Sequence, residues 1–125
     1  MTTSKLKKVT EKEIENAILD YLKTIPDSFF WKNNSGGVFD PKARVFRKNT
    51  NRHIIKGVPD ILGMIEGRFV GIEVKKPKPN KTYPSKEQKD FITRVEEIGG
   101  IAFIARSVSD VEEILEEVCG ATSLL

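Results

Sequence analysis

The sequence predicts an α/β fold, a mixed central β-sheet flanked by helices, in a single domain spanning residues 1–125. Three observations predict it. Two stretches, from Thr10 and from Ser85, open on capping boxes and continue with apolar residues at helical spacing. Between them, Pro59 to Lys76 reads as two strands joined by the tight turn Glu66-Gly67. Beyond the second helix, the short apolar run Ile101 to Ala105 reads as a fully buried strand.

In chain order, Thr10-Glu11-Lys12-Glu13 starts a helix with Ile14, Ile18, Tyr21, Leu22 and Ile25 on one face, and Pro26 ends it. Phe29, Phe30 and Trp31 form a short strand, and Asn33 to Gly37 a turn. Trp31, at a strand end, is expected in the core rather than as a base-stacking platform. Residues 38–56 are polar and basic, a long loop or loose hairpin, and a connection of that length is more often functional than idle. The strands Pro59 to Ile65 and Arg68 to Lys76 follow. Pro77, Pro79 and Pro84 keep the next segment irregular. The Ser85 helix turns Phe91, Ile92, Val95 and Ile98 inward and stops at Gly99-Gly100. The last helix, after Ile101 to Ala105, carries Val108, Val111, Ile114, Leu115 and Val118. No repeat or low-complexity tract interrupts this order.

Composition excludes several function classes. No apolar run approaches the roughly 18 residues of a membrane span, so no membrane partner is expected. The basic N-terminal stretch lacks an apolar segment, so no signal peptide is read there and a cytoplasmic location is expected. One cysteine, Cys119, allows neither an internal disulfide nor a Cys-rich zinc site. One histidine, His53, is too few for a histidine metal cluster, and no Gly-x-x-x-x-Gly-Lys loop is present. The net charge is only +3, but it is unevenly spread. Lys42, Arg44, Arg47, Lys48, Arg52 and Lys56 form one acid-free basic stretch around His53, and Lys75, Lys76, Lys78, Lys81, Lys86 and Lys89 a second. Asp110, Glu112, Glu113, Glu116 and Glu117 make the last helix acidic. Clustered cations of this kind suit a phosphate backbone, although loop lysines that merely meet solvent would look the same.

The chemistry concentrates on the second central strand. Alternation puts Phe69, Gly71, Glu73 and Lys75 on one face and Val70, Ile72, Val74 and Lys76 on the other. A carboxylate on a buried strand needs a cation or donors, and a Glu73–Lys75 ion pair would be the plain solution. Gly71 leaves room beside it for a neighbouring group or ligand. Asp60 adds a second acid: a hairpin turning at Glu66-Gly67 brings it opposite Glu73. Two carboxylates that close repel and raise each other's pKa unless a divalent cation lies between them. Oxygen ligands with open positions suit Mg²⁺ or Mn²⁺ rather than zinc. Lys75 then faces the same cavity as a point charge for a phosphate or an attacking water.

Gly57-Val58-Pro59-Asp60 followed by Gly71-Ile72-Glu73-Val74-Lys75 resembles the PD-(D/E)xK nuclease motif, with Pro-Asp and Glu-x-Lys both literal. Within that superfamily the chain is most similar to the VRR-NUC group, found in phages and some DNA-repair nucleases. The likeness runs from Glu11-Lys12-Glu13-Ile14-Glu15 through Trp31 to Gly36, then Ser85-Lys86-Glu87-Gln88 and Gly99-Gly100. It implies a restriction-endonuclease-like αβββαβ core and a catalytic set of Asp60, Glu73, Lys75, a first-helix glutamate and Gln88. Asp60, Glu73 and the Val74 carbonyl would hold one or two Mg²⁺ (or Mn²⁺) ions. Glu11 is the favoured helix glutamate and Glu15 the alternative; the plain reading of either is an exposed helix residue, and of Glu11 also a helix-dipole partner in the first turn. Gln88 reads equally as the second half of the Ser85 capping box. The cations of residues 42–56 with His53, together with Lys76, Lys78 and Lys81, would contact DNA. The resemblance further implies a homodimer acting on branched DNA such as four-way junctions, in a bacterial or phage-infected cell. Two rival readings are a DNA-binding subunit without catalysis and a scaffold whose Glu73–Lys75 is only an ion pair.

Overall fold

The computed structural model describes residues 8–34, 38–47, 51–77 and 82–119. Thr10 caps helix α1 (Glu11–Leu22) with a complete capping box, its hydroxyl accepting from the Glu13 N–H. Ser85 caps α2 (Lys86–Glu97) in the same way through Gln88. The third helix, α3, spans Val108–Cys119. The strands are β1 (Ser28–Lys32), β2 (Val38–Asp40), β3 (Val45–Arg47), β4 (Ile61–Ile65), β5 (Arg68–Val74) and β6 (Ile101–Ala105). The expected order of elements stands, and the 38–56 stretch contains the short antiparallel hairpin β2–β3. Its turn is set by Asp40, whose carboxylate accepts from the Lys42 and Ala43 N–H groups.

The main sheet runs β1-β4-β5-β6, antiparallel except for the parallel pair β5–β6, which α2 connects. It is a mixed sheet, as the sequence predicts. The β4–β5 turn places both Glu66 and Gly67 at positive φ, 48° and 83°, the two-residue turn whose twist matches the strands it joins. Register follows: Ile61 pairs with Ile72, so one step on Asp60 lies opposite Glu73.

One sheet face carries Ile61, Ile65, Val70, Ile72, Val74, Ile101, Phe103 and Ala105, and packs against Ile14, Ile18 and Leu22 of α1 and Val111 and Leu115 of α3. Each fully buried aliphatic chain contributes roughly 1.5–3 kcal/mol. The opposite face carries Phe69, Gly71 and Glu73. Among the described residues only α2 covers it, through the Phe69–Phe91 ring contact and its packing on β6. The inward assignment of Ile98 fails. Ile98 is 88% exposed because the chain leaves α2 at that residue, and Val118 lies exposed near the end of α3. Helix α2 has no fully buried residue, as befits an element covering half of one sheet face.

Trp31 is also not core. It is 42% exposed and Phe29 68%, because both point to the α2 face at the β1 edge, beyond the reach of that helix. Gly63 lies across from Phe30. A Cβ there would sit 2.3 Å from Phe30 Cδ1 and 2.4 Å from the Phe29 carbonyl oxygen. Gly63→Ala should destabilise the domain by about 1–3 kcal/mol, read as a lower urea midpoint with unchanged m-value.

Candidate active site

The site is built where β4 begins and β5 ends. Asp60 is pinned twice: its carbonyl accepts from the Asn33 N–H at 2.7 Å, and its carboxylate Oδ2 accepts from the Val74 N–H at 2.9 Å. The side chain thus continues the β4–β5 ladder one step past the end of the strand. Upstream, Gly57 adopts φ +82° and presses against the first turn of α2. A Cβ at this position would lie 2.3 Å from the Glu87 backbone. Only glycine allows that approach, which joins the Asp60 turn to α2. The space beside Gly71 is taken by buried Pro59, not by a ligand: a Cβ at Gly71 would lie 3.1 Å from the Pro59 ring.

Glu73 is 4% exposed. Its Oε2 accepts from Gln88 Nε2 at 2.6 Å and lies 3.5 Å from Lys75 Nζ, too long for a strong charge-assisted bond. The plain ion-pair solution is therefore present but incomplete. Glu73 Oε1 is buried with no partner among the described residues, a costly state for a carboxylate oxygen. Burial, followed by the nearby Asp60 charge, pushes the Glu73 pKa up to about 7 despite Lys75. Asp60 is raised as well, chiefly by burial, with Glu15 adding to it and the Val74 N–H, Lys32 and Lys75 opposing it. Two adjacent acids that both resist ionisation, one with an orphaned oxygen, fit a centre completed by a cation.

Gln88 completes the Ser85 capping box and also touches Glu73. Its Oε1 accepts from the Ser85 N–H at 2.8 Å while its Nε2 reaches Glu73. Those two partners also fix which end of the amide is which.

A cavity of about 390 Å³ opens between α1 and this strand end, lined by Glu11, Lys12, Glu15, Asn16, Lys32, Asp60 and Val74. It separates the two helix glutamates. Glu15 is buried and spent: both its oxygens accept from Lys32 Nζ at 2.7 Å. Glu11 is half-buried, carries no hydrogen bond or ion pair among the described residues, and is close enough to raise the Glu73 pKa. Among the described residues no three acidic, histidine or cysteine side chains form a ready cage. Asp60 and Glu73, with the Val74 carbonyl, could hold a hard cation that keeps several waters, the habit of Mg²⁺. Lys32 was not anticipated. The signal for it was Glu15, which falls between Ile14 and Ile18 on the buried helix face and so required a cation.

The basic residues expected to meet DNA are less convergent. Lys42, Arg44, Arg52, His53 and Lys56 are exposed, with Arg52 donating to His53, and none lines the cavity. Lys76 is exposed, and its carbonyl accepts from Arg106. Arg47 lies in β3, while Lys48, Lys78 and Lys81 fall outside the described residues. Arg106 also holds the Thr82 carbonyl, so one guanidinium gathers both ends of the 77–81 segment.

The sequence matches no protein-family model, and no curated protein matches it. Among solved structures, the chain resembles one described as a VRR_NUC domain protein, with a TM-score of 0.61 and 19% identity over 88% of each chain. At that identity the likeness establishes a shared fold.

Proposed function

We propose that this chain, built on the fold of a VRR_NUC domain, is a metal-dependent endonuclease that hydrolyses DNA phosphodiester bonds. The observation that carries the reading is the meeting of Asp60, Glu73 and Lys75 at one strand end, with Glu73 Oε1 buried and unsatisfied. Asp60, Glu73 and the Val74 carbonyl would hold Mg²⁺ or Mn²⁺. When bound, the ion would supply a more acidic water and charge stabilisation at the phosphate.

The chain's own residues do the rest. The Val74 N–H fixes one Asp60 oxygen, so its carboxylate is aimed before any ligand arrives. Gln88 holds Glu73 Oε2, which leaves Oε1 as the oxygen without a partner among the described residues. Lys75, 15% exposed in its side chain, places an ammonium beside the reacting phosphate, where it orients water and offsets developing negative charge. Glu11 is the helix glutamate with a free carboxylate at the cavity. The exposed cations of residues 42–56 and Lys76 would grip phosphates without reading bases, which favours recognition of DNA shape, such as a branch point, over sequence.

The test is incubation with labelled linear, nicked, flapped and four-way DNAs in Mg²⁺, Mn²⁺ or EDTA. Cleavage that needs the metal and favours branched forms is the expected result; binding to every form with no cleavage in any metal would leave a DNA-binding subunit instead.

A further inference from the structure

The half of the sheet that α2 leaves open carries an aromatic pair. Phe29 and Trp31 project from β1 with ring centroids 5.4 Å apart at 44°. Met64 is 44% exposed and pairs directly with Phe29. Apolar groups this large and this exposed, side by side on one surface, mark a binding site.

Register ties the pair to the candidate active site. Phe29, Met64 and Phe69 lie across from one another, then Trp31, Leu62 and Gly71. Directly opposed residues share a face, and two residues further along β5 that face carries Glu73, across from the Asp60 position just past the ladder. Two strand spacings across and two residues along put the Trp31 position roughly 12 Å from that of Glu73. Lys75 follows β5 and alternates onto the same face as Glu73, whereas Lys32 turns to the other face, where Glu15 holds it. Rings on the face that also carries Lys75 match the pattern that binds single strands, with bases stacked on aromatics and phosphates on amines. A paired base inside a duplex hides the π-face that such a surface needs.

We infer that Phe29 and Trp31 form a stacking platform for unpaired bases of a DNA strand whose phosphate lies at Asp60, Glu73 and Lys75. This deepens the nuclease reading and rests on it for the position of the phosphate. It names the substrate class: DNA with a single-stranded segment a few nucleotides from the cut, such as a flap, a gap or an opened junction.

Trp31 is the only tryptophan in the chain, so its emission reports on the platform directly. In EDTA, where nothing is cut, a short oligothymidylate should quench that emission saturably and a blunt duplex of equal length should not. By fluorescence anisotropy of labelled oligothymidylate, Trp31→Ala and Phe29→Ala should each weaken binding about 5- to 150-fold. Trp31→Phe should retain most of it, and thermal unfolding should show all three variants folded. Unchanged affinity in Trp31→Ala overturns the inference. So does sedimentation showing a dimer that Trp31→Ala splits without loss of oligothymidylate affinity, since the face would then seat a second copy. If binding follows the rings but no metal supports cleavage of any DNA, the platform stands and the catalytic reading falls.

Discussion

Asp60→Asn should lower metal-dependent cleavage by about 10³-fold or more while leaving DNA binding in EDTA intact. The size follows from what the substitution removes. The amide keeps the shape of the side chain, and its oxygen can still accept from the Val74 N–H that Asp60 Oδ2 now receives at 2.9 Å. The ladder extension and the fold therefore survive. What is lost is the negative charge facing the cavity, together with its share of cation binding. Single-turnover cleavage with saturating protein, beside anisotropy binding in EDTA, separates chemistry from affinity. Cleavage within tenfold of the parent would remove Asp60 from the catalytic set.

Glu73→Gln should abolish cleavage to a similar extent and yet raise the stability of the metal-free protein at pH 8. Burial, then Asp60, raises the folded-state pKa of Glu73 from 4.5 to about 7. Between those values the folded chain keeps a proton that the unfolded chain has released. Stability therefore falls as pH climbs through that window, and the full penalty is present above about pH 7. Glutamine does not titrate, so in EDTA the variant should have a flatter pH profile and exceed the parent at pH 8 by on the order of 1–3 kcal/mol. Added Mg²⁺ should recover stability in the parent and not in the variant, because only the former gains from cation binding. Urea melts at pH 5 and pH 8, with and without Mg²⁺, check each part. A variant less stable than the parent at pH 8 in EDTA would mean that Glu73 is already satisfied in the folded chain.

The backbone plan was readable because its signals are local. Capping boxes at Thr10 and Ser85 and the positive-φ pair Glu66-Gly67 each fix a few residues without help from elsewhere. The hairpin register then carried Asp60 to Glu73 by counting alone. What stayed hidden depends on which element covers which half of a face. Trp31 reads as core on hydrophobicity, but it lies at a sheet edge that α2 does not reach, a fact of three-dimensional layering. Ile98 fits the helical period of α2, yet the helix ends beneath it. The choice between Glu11 and Glu15 needed the partner Lys32, which lies 17 residues from Glu15 and meets it only through the docking of α1 on β1. The two readings of Gln88 looked exclusive because a side chain is usually counted once, whereas an amide has two ends.

That last point limits how position 88 can change. A helix wanting only a good start would accept glutamate there as readily as glutamine, since either can complete a capping box. Glutamate would satisfy the Ser85 N–H equally well and would set an acceptor, with its charge, against Glu73 Oε2. The helix is indifferent between the two residues and the strand opposite is not. Stabilising substitutions chosen from helix preferences alone would therefore go wrong at this position first.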